Sequence, residues 1–229
     1  MTDGGRSETA YEHMGRRWLG LGNLKSPCWF VGLEPGGTPP ADWPERWEAT
    51  VGAPEVMDGR ADDQDPDTAR FFGPVARLQK TWAPLIRFRL AYANKPTDDA
   101  SCLAYQRNSF VRADGDEALL ELSGYPASNT GISTPRSEYT VPRVERMREL
   151  MALYQPEIVV CYGLSHRWDF EYLCGGPFSE LDGFRWSGST LCALTAHPQA
   201  RFGKAPPSNY WPELGLKMRN QVISKRGRS

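Results

Sequence analysis

The sequence predicts an α/β fold: a three-layer αβα sandwich around a central, mostly parallel four-stranded sheet, within one domain spanning 1–229. Two observations carry this. Four short runs rich in apolar, β-branched or aromatic residues are spread along the chain, and the stretches between them carry helical spacing. Strands that alternate with helices build a parallel sheet with helices on both faces, and the loops after the strand C-termini then line the ligand crevice.

The first run, "CWFVGLE" (28–34), ends in Pro35-Gly36-Gly37. Residues 38–67 are rich in Pro, Gly, Asp and Trp and read as an irregular insertion, a candidate lid. Residues 68–93 read as helical with a break near Pro84. The second run is "ALLELSG" (118–124). In "VPRVERMRELMALY" (141–154), Pro142 occupies a first helical turn, and Val144, Met147, Met151 and Tyr154 recur at three- or four-residue spacing. Gln155-Pro156 stops that helix before the third run, "EIVVCYG" (157–163). A helix over 164–173, a fourth run "TLCALTA" (190–196) and a helix over 209–223 complete the order, and 224–229 reads as a frayed basic tail.

The bulk composition narrows the function classes. With 229 residues, 40% hydrophobic, the chain holds one core. No run of about 18 apolar residues suggests a membrane span, and the first residues lack the apolar stretch of a secretory signal, so a cytoplasmic protein is expected. Five cysteines at irregular spacing, without a CxxC pair, and only three histidines predict reduced structural thiols and no metal site. Net charge is -1, but residues 42–69 hold nine acids against Arg46 and Arg60. Outside that stretch 25 basic residues face 19 acidic ones, a mildly basic body compatible with an anionic partner.

Two loops carry the chemical signal. Gly32-Leu33-Glu34-Pro35-Gly36 lacks the glycine spacing of a dinucleotide loop and the Gly-Lys-Ser/Thr of a phosphate loop. It puts an acid just past the end of a strand. The fourth run ends in His197-Pro198, followed by Arg201 and Phe202. A carboxylate at the C-terminal edge of one strand and an imidazole at that of another are expected to converge on one crevice.

A strand running into Gly-x-acid-Pro-Gly, with a late strand ending in His-Pro, resembles the uracil-DNA glycosylase superfamily. The resemblance runs from residue 28 to about 212 in order of elements and rests on these two short motifs. It implies a DNA glycosylase of three-layer fold with DNA as its partner, no cofactor, no metal and no obligate protein partner. By position, Glu34 takes the role of the residue that orients or activates the attacking water, and His197 that of the donor to the leaving base. The loop after His197 implies DNA contact by Arg201 and Phe202, the latter filling the stack left by a flipped-out base, with Gly36 and Gly37 in the first DNA-facing loop. Many relatives have Asp or Asn where Glu34 stands.

Uracil-reading members carry a base-recognising Asn on the second strand, where this chain has "LLELSGYP" (119–126). Alternation sends Glu121 and Ser123 to one face and Leu120 and Leu122 to the other. Glu121 is therefore the candidate base reader, with Ser123 beside it. An ionised carboxylate only accepts hydrogen bonds, which suits an exocyclic amine. A protonated Glu121 could also donate to N3 of a cytosine. Phe71 or Phe72 is a candidate to stack on the base, and Trp43 and Trp47 to cap it from the insertion. His166 opens the helix after the third strand, in a structural role or at a phosphate.

The leading expectation is a monofunctional glycosylase, since no lysine stands where a Schiff base would form. Its substrate would be an aminated pyrimidine such as a modified cytosine in phage DNA, by resemblance to the antiviral branch of the superfamily. Repair of uracil or another deaminated base, and a non-catalytic nucleic-acid-binding relative, remain open alternatives. A hydrolase of small nucleotides is disfavoured by the missing phosphate loop.

Overall fold

A computed structural model describes residues 15–33, 54–60, 70–125, 136–199 and 209–228. In chain order the described strands are β1 (Gly20–Gly22), β2 (Cys28–Gly32), β3 (Val56–Met57), β4 (Glu117–Glu121), β5 (Ile158–Tyr162), β6 (Phe184–Ser187) and β7 (Thr190–Thr195). They form one sheet in the order β3-β1-β4-β2-β5-β7-β6. The four runs marked by the sequence are β2, β4, β5 and β7. They are neighbours, and each adjoining pair is parallel.

The expected four-stranded sheet is thereby corrected to a mixed sheet of seven. β1 pairs antiparallel with β4 and parallel with β3, and β6 pairs antiparallel with β7. These added strands are short. β1 is Gly-Leu-Gly, β3 has two residues inside the acidic insertion, and β6 is Phe-Arg-Trp-Ser, so none has the continuous apolar run of a strand buried on both faces.

The described α-helices are α1 (Trp82–Tyr92), α2 (Asp99–Asn108), α3 (Arg136–Tyr154), α4 (Arg167–Leu173) and α5 (Tyr210–Arg226), with a 3₁₀ turn at Leu164–His166. Strand alternation divides the core between the two faces. Phe30, Leu119, Val160 and Ala193 pack with Leu85, Phe88, Cys102, Trp211 and Met218 of α1, α2 and α5. Trp29, Val31, Leu120 and Val159 pack with Val144, Met147, Leu150 and Phe170 of α3 and α4. All five cysteines are buried and free. Among the described residues no helix is long and apolar enough to cross a membrane.

Three helix boundaries differ from expectation. Instead of one helix broken at Pro84, α1 starts at Trp82 and Pro84 lies in its first turn, where a missing N–H costs nothing. α3 starts at Arg136, so Pro142 is interior. A proline there costs about 3 kcal/mol, and the buried anchorage of Arg143, described below, acts against that cost. Of the expected frayed tail, 224–226 form the end of α5. Lys225 lies 3.7 Å from the ring centre of Trp186, and Arg226 pairs with Glu157. α5 also approaches α1 closely, because a Cβ on Gly215 would stand 2.5 Å from the Phe88 carbonyl oxygen.

Candidate functional site

The four parallel strands end nearly level. Gly32 is in register with Glu121, and Tyr162 with Thr195. By alternation these strand-final residues lie on the side of the sheet that carries Phe30, Leu119, Val160 and Ala193. Three polar groups, the Glu121 carboxyl, the Tyr162 phenol and the Thr195 hydroxyl, therefore cap that half of the core, with the bare Cα of Gly32 between the first two. Thr195 Oγ1 is hydrogen-bonded to the Tyr210 hydroxyl at the start of α5.

Gly32 brings two of these groups together. A Cβ there would lie 2.4 Å from Tyr162 Oη and 2.6 Å from Glu121 Oε2. β4 and β5 are separated by β2, roughly 9–10 Å apart at ordinary strand spacing, too far for most side chains to meet. The missing side chain on the middle strand lets them converge.

Glu121 is 7% exposed, and a buried cation stands close by. Arg143 of α3 is fully buried and donates to the carbonyls of Leu122 (2.9 Å), Glu121 (2.6 Å), Trp18 (2.5 Å) and Gly15 (3.2 Å). Burial pushes its guanidinium down to about 10, while the charge of Glu121 acts the other way, so Arg143 remains a cation at neutral pH. It fixes the main chain at the end of β4, on which Glu121 is mounted.

His197 follows β7. Its Nδ1 accepts a hydrogen bond from the Gln199 backbone N–H at 3.1 Å. A neutral ring with Nδ1 as acceptor carries its proton on Nε2, which leaves an Nε2–H donor. Part of the ring is exposed, yet burial of the rest disfavours the charged form and lowers its pKa below the ordinary imidazole value. The ring meets Tyr162 edge-on, centroids 5.7 Å apart. His197, Tyr162 and Glu121 thus line one continuous edge of the sheet.

The remaining sequence candidates divide. Ser123 is buried beside this edge, its amide bonded to the Leu33 carbonyl at 2.6 Å and its hydroxyl accepting from the Tyr125 N–H at 3.2 Å. Phe72 is 7% exposed and belongs to the core. Phe71 is half-buried against Trp82, with centroids 5.1 Å apart. The Gln199 side chain donates to Thr81 Oγ1, which ties the His197 loop to the start of α1, next to Trp82. His166 Nδ1 lies 3.3 Å from Asp169 Oδ2. Glu34, Gly36, Gly37, Trp43, Trp47, Arg201 and Phe202 lie outside the described residues.

Sequence reasoning missed Tyr162 and Arg143. Tyr162 was legible in principle, as the polar-tipped last residue of "IVVCY"; nothing in a charged helix singles out Arg143.

The opposite edge of the sheet holds a second polar cluster. The buried Glu117 carboxylate accepts from the Tyr105 hydroxyl (2.6 Å) and the Val111 N–H (3.0 Å), with Arg89 Nε at 3.7 Å. Burial pushes its pKa up to about 7 against these opposing partners. A cavity of roughly 300 Å³ at that edge is lined by Glu157, Trp186, Lys225 and Arg226. It lies at the sheet edge opposite to His197; there Arg226 pairs with Glu157, and Lys225 donates to the Gly188 carbonyl and lies over the Trp186 ring. Among the described residues no group of three His, Cys, Asp or Glu could hold a metal. No protein-family model matches the chain, and no curated protein matches it.

Proposed function

We propose that the chain is a monofunctional DNA glycosylase of the uracil-DNA glycosylase superfamily, which hydrolyses the N-glycosidic bond of a flipped-out modified base and leaves an abasic site. The observation that carries this reading is the imidazole of His197: its Nδ1 is occupied by Gln199, so its Nε2–H is a fixed neutral donor at the carboxyl edge of a parallel sheet. A base leaving deoxyribose takes the C1′–N electron pair and builds negative charge, which such a donor stabilises. Leu33, which follows β2 and precedes Glu34 in the chain, accepts from the Ser123 N–H at the same edge.

In this reading Glu34 takes a proton from water as the water oxygen bonds C1′, and its charge stabilises the oxocarbenium character of the sugar. The substrate is an aminated pyrimidine, such as a modified cytosine in phage DNA, and the biological role is antiviral defence. The carboxyl side chain at position 121, where uracil readers carry an amide, supports an amine-bearing base over uracil.

Phage genomic DNAs of differing base modification, incubated with the protein and analysed by mass spectrometry for released bases, test the proposal. Release of a modified cytosine is expected, with Glu34→Gln and His197→Ala each slowing it by roughly 10²–10³. Release of uracil alone would favour the repair reading. Binding without release, unchanged by both substitutions, would favour a non-catalytic relative.

A further inference from the structure

Tyr162 has no part in the motif resemblance, yet it occupies the centre of the polar edge. Its phenol is 3% exposed, its ring lies against His197, and its hydroxyl and Glu121 Oε2 share the space that Gly32 leaves open. Glycine within a strand weakens it and is retained where another group must come close. Here the groups that come close are a phenol and a carboxyl, brought together across a strand that would ordinarily keep them apart.

We propose that Tyr162 is a specificity-determining residue of the base pocket, its hydroxyl working with the Glu121 carboxyl to select an aminated pyrimidine over a keto one. This rests on the glycosylase reading above. A cytosine-type base presents an exocyclic amine beside an unprotonated ring N3. An ionised Glu121 accepts from the amine, and Tyr162 O–H donates to N3. A protonated Glu121 is then unnecessary, because donor and acceptor are divided between two side chains. Uracil presents a carbonyl oxygen to the carboxylate instead, which leaves two acceptors facing each other, an arrangement a hydrogen-bonding site rejects strongly. The edge-on contact with His197 makes the base-reading wall continuous with the group that receives the departing charge.

The test uses full-length protein and duplex oligonucleotides carrying 5-hydroxymethylcytosine or uracil at one position, with single-turnover release of each base followed by mass spectrometry. Tyr162→Phe deletes only the hydroxyl. It is expected to melt within a few degrees of the wild type and to reduce the hydroxymethylcytosine-to-uracil rate ratio at least tenfold. Gly32→Ala, which forces a methyl group into the space shared by Tyr162 and Glu121, is expected to slow release of hydroxymethylcytosine at least tenfold. Wild-type release with an unchanged ratio in Tyr162→Phe, or an unchanged hydroxymethylcytosine rate in Gly32→Ala, overturns the role of Tyr162 and leaves the glycosylase reading standing. If the wild type releases neither these bases nor any base from modified phage DNA, the glycosylase reading falls and this inference falls with it.

Discussion

Nδ1 of His197 accepts the backbone N–H of Gln199, two residues further along the chain. This short local bond decides which nitrogen of the ring can act outward. At pH 7, long-range ¹H–¹⁵N correlation spectra should show Nδ1 unprotonated and Nε2 bearing hydrogen. Titration should place the ring pKa below the ordinary value of 6.5, because burial disfavours the imidazolium. A ring protonated at both nitrogens at neutral pH would contradict the assignment.

Arg143 is a buried cation whose guanidinium satisfies four main-chain carbonyls. Arg143→Ala strands those acceptors and opens a cavity beneath the end of β4. A loss of about 3–5 kcal/mol is expected from denaturant unfolding. Arg143→Lys should recover only part of this, since an ammonium cannot reach four acceptors spread around a planar fork.

Glu117 makes stability depend on pH in the direction opposite to that of an ordinary carboxylate. Its folded pKa is raised from 4.5 to about 7, so the folded state holds a proton that the unfolded chain has already released. The stabilisation is fully present below pH 4.5 and is lost as pH rises towards 7, with a limit of about 3 kcal/mol. Glu117→Gln should remove this fall, flattening the unfolding free energy across that window relative to the wild type. A parallel pH dependence in the two proteins would refute it.

Gly215 sets two effects of opposite sign against each other. Replacing glycine by alanine inside a helix ordinarily gains about 1 kcal/mol. Here the new Cβ would meet the Phe88 carbonyl oxygen at 2.5 Å and the Tyr92 amide nitrogen at 3.1 Å, which are backbone atoms that cannot rotate away. Steric overlap should win, so Gly215→Ala is expected to destabilise by about 1–3 kcal/mol in thermal or denaturant melts.

The central strands were legible because strands buried on both faces are written as unbroken apolar runs. "CWFVG" and "IVVCY" could be little else. β1 escaped notice because it is only Gly-Leu-Gly, and β3 and β6 because edge strands need no such run. α2 escaped because Cys102 and Gln106 are its buried positions, too few to set up a helical period. At the site, His197 and Glu121 stood out as polar residues closing apolar segments. The convergence of Tyr162 with Glu121 was not readable, because it arises between two strands that are not neighbours in the sheet and depends on what Gly32 of the strand between them lacks.

Two bonds anchor the described residues on either side of 200–208. Gln199, just before it, is bonded to Thr81 at the head of α1, and Tyr210, just after it, is bonded to Thr195 at the end of β7. Those two anchors in turn rest on helices held almost backbone to backbone at Gly215. The described partners of the His197 imidazole, Gln199 and Tyr162, both lie outside 200–208, so its placement rests on groups that substitutions in that stretch leave untouched.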